Sequence, residues 1–231
     1  MINNALLTES VYDELKAKII NNEYPSGQRL DINSITEEFG VSRTPVVSAL
    51  KALERDGYVT VKPRSGSYVR EYTAEEVAAL YDFRLAIERL AMKTALLKAD
   101  ACKIQNFLDL FEDAYAHIDM SGVDEIKHIM NEFFDVQLEF HCYLISLSPQ
   151  IIGDSLKNLI DLTKRTGKMH IALLLKDPEN HRDELKKEIA IHICMAKAVL
   201  SHDADELQKK ISEDQETTKN FIVNYYRELN V

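Results

Sequence analysis

Apolar residues recur at helical spacing along most of the chain, and a short region near the N-terminus departs from that pattern. Over residues 10–22, Val11, Leu15 and Ile19 fall on one stripe, which predicts an amphipathic helix. A turn containing Gly27 ends this helix. Two further helices are predicted beyond the turn, over residues 33–39 and 42–57.

The third predicted helix combines an apolar face with a polar first turn. Ser42 is its expected N-cap and Gly57 its C-terminal stop. The residues predicted to face the core are Val46, Leu50 and Leu53. Residues 58–61 and 67–69 then alternate around a basic turn, which predicts a two-stranded hairpin. Three helices followed by a basic hairpin are typical of a winged helix-turn-helix, a DNA-binding structure.

From Thr73 onward the strand signal disappears and amphipathic helices follow one another. The sequence TAEE at residues 73–76 is a capping box that starts the first of them. The predicted helices cover residues 73–99, 101–120, 123–147, 149–175, 178–200 and 203–227. Short breaks between them predict an antiparallel bundle. The predicted fold is therefore mainly α, with a winged helix-turn-helix domain over residues 1–72 and an all-α antiparallel bundle over residues 73–231.

Composition excludes a membrane protein and a disulfide-stabilised one. Apolar runs such as residues 171–175 are far shorter than the roughly 20 residues that cross a bilayer. The N-terminus also lacks the basic and apolar regions of a signal peptide, so we expect a cytoplasmic protein without a membrane partner. Three widely spaced cysteines, Cys102, Cys142 and Cys194, are expected to be buried reduced thiols.

The net charge of -10 is unevenly distributed. Residues 1–73 carry nine Lys or Arg against ten Asp or Glu, whereas residues 74–231 carry 19 against 28. Within residues 42–70 there are six basic residues and two acidic ones. The positive field therefore lies on the predicted DNA-binding region, and the acidic remainder would repel DNA.

The motifs resemble those of the GntR family of bacterial transcription regulators, in the subgroup with an all-helical FCD (FadR C-terminal) effector domain. The matching segments are YDELKAKII, PSGQRL, GVSRTPVVSALKALERDGYV, PRSGSYV, FRLAIERLA, the FH pair at residues 140–141, and H-x10-DADE from His192. The resemblance spans nearly the whole chain. It implies a homodimer that binds an inverted-repeat DNA operator, and a small effector, commonly an organic acid.

The predicted DNA contacts lie on the third helix and the hairpin. They are Ser42, Arg43, Thr44, Ser48, Lys62, Arg64 and Gly66. An Arg in the first turn of a recognition helix reaches guanine O6 and N7, and a Gly lets the backbone approach a groove. A surface salt bridge is the alternative role for Arg43. Family members usually have Arg at the position of Val47 and Glu at that of Ser48, so the operator is expected to differ from the usual one.

The resemblance also implies a divalent metal site formed by Gln137, His141, His192 and Asp214. Gln137 replaces a carboxylate and Asp214 replaces a third imidazole of the family pattern. Two His and one carboxylate suffice for zinc or nickel and leave positions open for an effector. The alternative is a metal-free pocket in which these side chains hydrogen-bond one another or the effector.

Arg84, Gln137, His141 and His192 are the predicted effector-binding residues. Arg84 lies one helical turn before Glu88, so its alternative role is an i,i+4 ion pair. The other histidines are expected on the surface or as polar members of the bundle; they are His117, His128, His170, His181 and His202.

The favoured function is a ligand-responsive transcription regulator, expected to be a repressor and not an enzyme. One alternative is a metal-dependent hydrolase built on His141, His192 and Asp214, but the sequence lacks a general base comparable to the glutamate of an HExxH motif. Another alternative is a constitutive DNA-binding protein. The large helical domain argues against it, because DNA binding alone does not require such a domain.

Overall fold

The computed structural model describes the backbone of residues 4–229, and the side chains within that range except at positions 4, 158 and 229. The chain forms two compact units that divide between Thr73 and Ala74. The elements of the first unit are α1 (Asn4–Ile20), β1 (Arg29–Leu30), α2 (Ile32–Phe39), α3 (Arg43–Arg55), β2 (Val59–Lys62) and β3 (Gly66–Val69). This unit is the predicted winged helix-turn-helix.

Capping residues define the helix-turn-helix. The Asp31 side chain accepts hydrogen bonds from the backbone N–H groups of Asn33 and Ser34, each at 3.0 Å, so α2 begins one residue earlier than predicted. Gly40 ends α2 with φ of 64°, a left-handed conformation that disfavours other residues. A Cβ at Gly40 would meet nothing within 4 Å, so the backbone conformation alone requires glycine here.

The core of the first unit forms between α1 and α3. Val11, Leu15 and Ile19 of α1 are buried, as are Val46 and Leu50 of α3, in agreement with the predicted stripes. The predicted start of the first helix at residue 10 is wrong, since α1 already includes residues 4–9. No Gly or Pro interrupts those residues, so the helix continues through them.

The wing contains the predicted hairpin, formed by β2 and β3, and β1 adds a third strand to it. The strand order is β1-β3-β2 and both pairings are antiparallel. Val59 pairs with Val69 and Lys62 with Gly66, which leaves residues 63–65 as the wing tip. The strand β1 has only two residues, too few for an alternating pattern to be recognised in the sequence.

The second unit is the predicted helical bundle. Within its described residues the helices are α4 (Ala74–Lys98), α5 (Ala101–Ile118), α6 (Val123–Ser146), α7 (Gln150–Leu174), α8 (Arg182–Leu200) and α9 (Ala204–Leu229). The largest error in a predicted start within this unit is at α8, which begins four residues later than expected. Asn180 donates a hydrogen bond to Asp177 at 2.6 Å, and this contact stabilises a turn before the helix.

The bundle core surrounds α4 and α8. α4 packs against α9 and α7, and α5 packs against α8. The aromatic rings of Phe107, Phe111, Phe133 and Phe140 contact one another, with centroids 5.4–6.5 Å apart. Among the described residues, no helix is both long and apolar enough to cross a membrane.

The prediction of buried cysteines is wrong. Cys102 and Cys142 are exposed, and Cys194 is half-buried; all three are free thiols. Consecutive residues on a helix point about 100° apart, so His141 turns inward while Cys142 turns outward.

Candidate functional site

The first turn of α3 is exposed, as DNA contact requires. Arg43, Thr44 and Ser48 are exposed, and Val47 is partly exposed. Ser42 occupies the predicted N-cap position, although its side chain makes no capping hydrogen bond. Unpaired N–H groups and partial positive charge at such a helix end suit a DNA phosphate.

Arg43 contacts a neutral side chain. Its Nη1 lies 3.4 Å from Oδ1 of Asn33 on α2, which is a long hydrogen bond. Within the described part of the chain, no carboxylate forms an ion pair with Arg43. A surface salt bridge, the alternative role of Arg43, therefore lacks a carboxylate partner among the described residues.

The wing presents basic side chains and includes one that the sequence prediction missed. Lys62 and Arg64 are exposed, and Lys62 Nζ lies 4.7 Å from the centroid of the Tyr68 ring. Gly66 has φ of 120°, and a Cβ there would lie 3.3 Å from Nε of Arg29. Arg29 is thus a further basic residue beside the wing. Its position follows from the pairing of Arg29 in β1 with Tyr68 in β3, which the sequence alone does not show.

The four predicted metal-site residues meet inside the second unit. Gln137 and His141 come from α6, His192 from α8 and Asp214 from α9. The two Nε2 atoms are 3.2 Å apart, and Gln137 Oε1 lies 3.1 Å from His192 Nε2. The Asp214 carboxylate oxygens lie 3.8 Å from His141 Nε2 and 3.7 Å from His192 Nε2. One ligand atom from each His and from Asp214 lies within 4.8 Å of the other two.

Hydrogen bonds on the opposite ring nitrogens determine the tautomers. Nδ1 of His141 donates to Glu88 Oε1 at 2.6 Å, and Nδ1 of His192 donates to the backbone oxygen of Glu188 at 2.9 Å. Burial lowers the pKa of His192, against the opposite influence of Asp214. If each ring carries its proton on Nδ1 alone, both Nε2 atoms would present lone pairs to a cation between them. The donor set therefore fits a metal ion.

Arg84 and Glu88 form a buried ion pair beneath this cluster. Arg84 Nε donates to Glu88 Oε2 at 3.3 Å, and Nη1 donates to Thr163 Oγ1 at 2.8 Å. Burial disfavours the ionised carboxylate, but Arg84 and His141 outweigh it and lower the pKa of Glu88 to about 2. Both partners are buried, so the pair is more than the weak exposed contact that the spacing alone indicates.

A small cavity adjoins the cluster. The space that the centre of a water molecule can occupy in it has a volume of about 40 Å³. Arg84, Gln137 and Asp214 line the cavity. Glu188 and His170, which the sequence did not single out as site residues, line it too. Burial and the neighbouring Asp214 raise the pKa of Glu188 to about 8. Burial lowers the pKa of His170 to about 4.

The remaining histidines lie outside the cluster: His117, His128, His181 and His202. Among the residues that were missed, Glu188 lies one helical turn before His192. That spacing is the only signal in the sequence that could have identified it, since a Glu on a helix is usually exposed.

Comparison with protein families matches residues 7–69 to the bacterial regulatory proteins of the gntR family, and residues 79–215 to the FCD domain. YdhC of Bacillus subtilis, an uncharacterized HTH-type transcriptional regulator, is 26% identical over 211 residues, which cover 89% of this chain and 92% of that protein. The gluconate operon transcriptional repressor of the same species is 37% identical over 87 residues, which cover 38% of this chain and 35% of that protein.

Among solved structures, that of E. coli McbR/YncC is similar to this chain with a TM-score of 0.72. The two sequences are 18% identical, and the match covers 98% of this chain and 100% of the McbR/YncC chain. At this identity the likeness concerns the fold alone. The matched domains and relatives are those of transcription regulators and not of enzymes, so the hydrolase alternative is not favoured.

Proposed function

The chain belongs to the FCD-containing group of the gntR family of bacterial regulatory proteins, and we propose how it acts. Two copies form a homodimer, and their domains over residues 1–72 bind the half-sites of an inverted-repeat operator. The domain over residues 73–231 dimerises and binds a small organic acid. Binding of this effector changes the affinity for the operator, and the protein acts as a cytoplasmic repressor.

This proposal rests on the buried cluster of His141, His192 and Asp214, which lies beside a cavity. Two imidazoles and one carboxylate are a suitable ligand set for zinc or nickel, and Gln137 would add a neutral oxygen. A bound metal would act as a Lewis acid and attract the carboxylate of an effector.

The metal-free pocket remains the competing arrangement, and elemental analysis of the purified full-length protein separates the two. We expect about one zinc or nickel ion per chain in the wild type and a loss of most of it in His141→Ala. A chain that contains no metal after purification in metal-supplemented buffer, yet still binds a carboxylic acid, would support the metal-free arrangement.

Arg84 suits an effector carboxylate through the donor that it has not used. Nε and Nη1 bind Glu88 and Thr163, whereas Nη2 has no acceptor among the described residues. Arg84 lines the cavity, so Nη2 is the donor we assign to the effector. The buried ion pair with Glu88 would then orient the guanidinium for that contact.

An exposed apolar stripe supports the homodimer. Phe83, Leu90 and Leu97 are 56%, 52% and 84% exposed. They are spaced seven residues apart on α4, so they lie along one face of that helix. A stripe of this kind is self-complementary about a two-fold axis, which an inverted-repeat operator also requires.

Selection of DNA from a random pool by the full-length protein tests the regulator proposal. We expect enrichment of an inverted repeat, and we expect a carboxylic acid that binds the protein to change the affinity for the selected DNA. An enriched sequence whose binding is insensitive to every acid that binds the protein would instead favour the constitutive DNA-binding alternative.

A further inference from the structure

Two acceptor groups beside the cavity have no hydrogen-bond donor among the described residues. Glu188 is 6% exposed and lines the cavity, and its carboxyl group makes neither a hydrogen bond nor an ion pair within the described part of the chain. Gln215 also lines the cavity; its Oε1 is buried and has no partner, while its Nε2 donates to Asp214 at 2.9 Å. Buried polar groups are normally paired, so Gln215 Oε1 calls for a ligand that donates a hydrogen bond, and the Glu188 carboxyl group offers a second partner to the same ligand.

The metal cluster does not supply that partner. The ligand atoms that lie within 4.8 Å of one another come from His141, His192 and Asp214, and Glu188 is not part of this group. A metal bound there would leave the Glu188 carboxyl group available to a ligand in the cavity.

Other lining residues supply unused donors. Arg84 Nη2 on α4 and Lys164 Nζ on α7 have no acceptor among the described residues. The lining is therefore divided: α4 and α7 contribute cationic donors, whereas α8 and α9 contribute the acceptors Glu188 and Gln215.

We propose that the effector is a compact amino acid whose carboxylate binds Arg84 and Lys164 and whose ammonium group binds Glu188 and Gln215. This inference rests on the proposed function and narrows its effector class. An ammonium group has three N–H donors, which is enough for both acceptors, whereas a hydroxyl group has one. A cavity of 40 Å³ on this measure holds about three water molecules, so the ligand is comparable to glycine or alanine in size.

Isothermal titration calorimetry of the zinc-loaded full-length protein tests this with three matched pairs of probes. Glycine and L-alanine carry the ammonium group. Glycolate and L-lactate carry a hydroxyl group in its place, and acetate and propionate carry hydrogen. We expect glycine or L-alanine to bind at least about tenfold more tightly than its two matched acids.

A pair of variants on α8 tests the assigned contact. An ammonium group beside Glu188 would favour the ionised form of this carboxyl group, and Glu188→Gln cannot ionise, so the change should weaken amino-acid binding by about tenfold or more. It should change acetate and propionate binding by less than about twofold. Glu184→Gln, at an exposed position one turn earlier, should leave binding of all six probes unchanged.

The outcomes separate this inference from the function on which it rests. Equal or tighter binding of the hydroxy acids or plain acids overturns the amino-acid assignment but leaves an effector-binding regulator. Failure of all six probes to bind, or unchanged amino-acid affinity in Glu188→Gln, also overturns it. Operator selection, which does not depend on these probes, tests the regulator itself.

Discussion

At the residue scale, the buried cluster depends on which ring nitrogen carries the proton. Glu88 accepts from Nδ1 of His141 and so turns the Nε2 lone pair toward His192. Arg84 in turn keeps Glu88 ionised. The contacts that run from Arg84 and Glu88 on α4 to His141 on α6 thus orient the metal-binding nitrogen before a cation binds.

Glu88→Gln should therefore weaken zinc binding by about 10- to 100-fold, the usual effect of losing the partner of a metal-binding His. The amide still accepts a hydrogen bond, but it no longer supplies charge. Competition with a fluorescent zinc chelator would measure the affinity. Asp82→Asn on the same helix, where the side chain forms an exposed ion pair with Lys219, serves as the control and should leave the affinity unchanged.

His170 should make the protein less stable in mild acid. Its pKa is about 4 in the folded protein and 6.5 when unperturbed. Between these values the unfolded chain binds more protons, so stability falls as pH falls. We expect a loss of about 2 kcal/mol from this group between pH 7 and pH 5.

Urea unfolding of wild type and His170→Gln at both pH values would test this expectation. The variant should lose less stability on acidification than the wild type, by about that amount. His128→Gln, which changes an exposed side chain, should behave like the wild type. An equal pH dependence in His170→Gln and the wild type would show that folding does not lower the pKa of His170.

The family resemblance predicted which four residues meet at the cluster, whereas helical spacing alone could not. Gln137 and His141 share a face of α6, but His192 and Asp214 come from other helices, and no local pattern relates them. The orphaned Glu188 carboxyl group depends on tertiary packing and was not predictable from the chain.

At the element scale, the orientation of α3 matters most, because its first turn carries the expected base contacts. Arg43→Ala should weaken binding to the selected operator by about 5- to 150-fold, which corresponds to about 1–3 kcal/mol for a lost bidentate contact. Arg55→Ala is the matched control: Arg55 is exposed at the other end of α3 and forms an ion pair with Asp56. Similar affinities for both variants in a gel-shift titration would contradict the assigned contact.

Predicted helices agreed well with the structure where stripes were long and breaks were clear. Each of the six bundle helices that the described residues form was predicted, with most ends within two residues of those observed. Apart from the start of α8, which the turn between Asp177 and Asn180 delays, the errors occurred where a local pattern was short or absent, at the two-residue β1 and at the start of α1. The strand β1 forms because it pairs with β3, and the first residues of α1 are helical because they continue the helix that follows. Neither cause produces a strong periodic pattern in the sequence.

At the scale of the whole molecule, dimerisation should depend on the stripe of α4. Leu90→Glu would place a charge in the proposed interface and should convert the dimer into a monomer, as measured by light scattering. Ile151→Glu, at a 79% exposed position on α7 outside the stripe, should remain dimeric. Monomeric wild type at micromolar concentration, or dimeric Leu90→Glu, would contradict the proposed interface.

The buried cluster is proposed to control DNA binding, and measurements of operator affinity with and without effector test this role. Fluorescence anisotropy would compare full-length wild type, His192→Ala and the exposed-site control His128→Ala, with and without the acid that most stabilises the wild type in a thermal-shift screen. The acid should change operator affinity about 5- to 150-fold in wild type and control. His192→Ala should bind the operator like the acid-free wild type and respond to the acid by less than about twofold. An undiminished response in His192→Ala would show that the effector acts elsewhere.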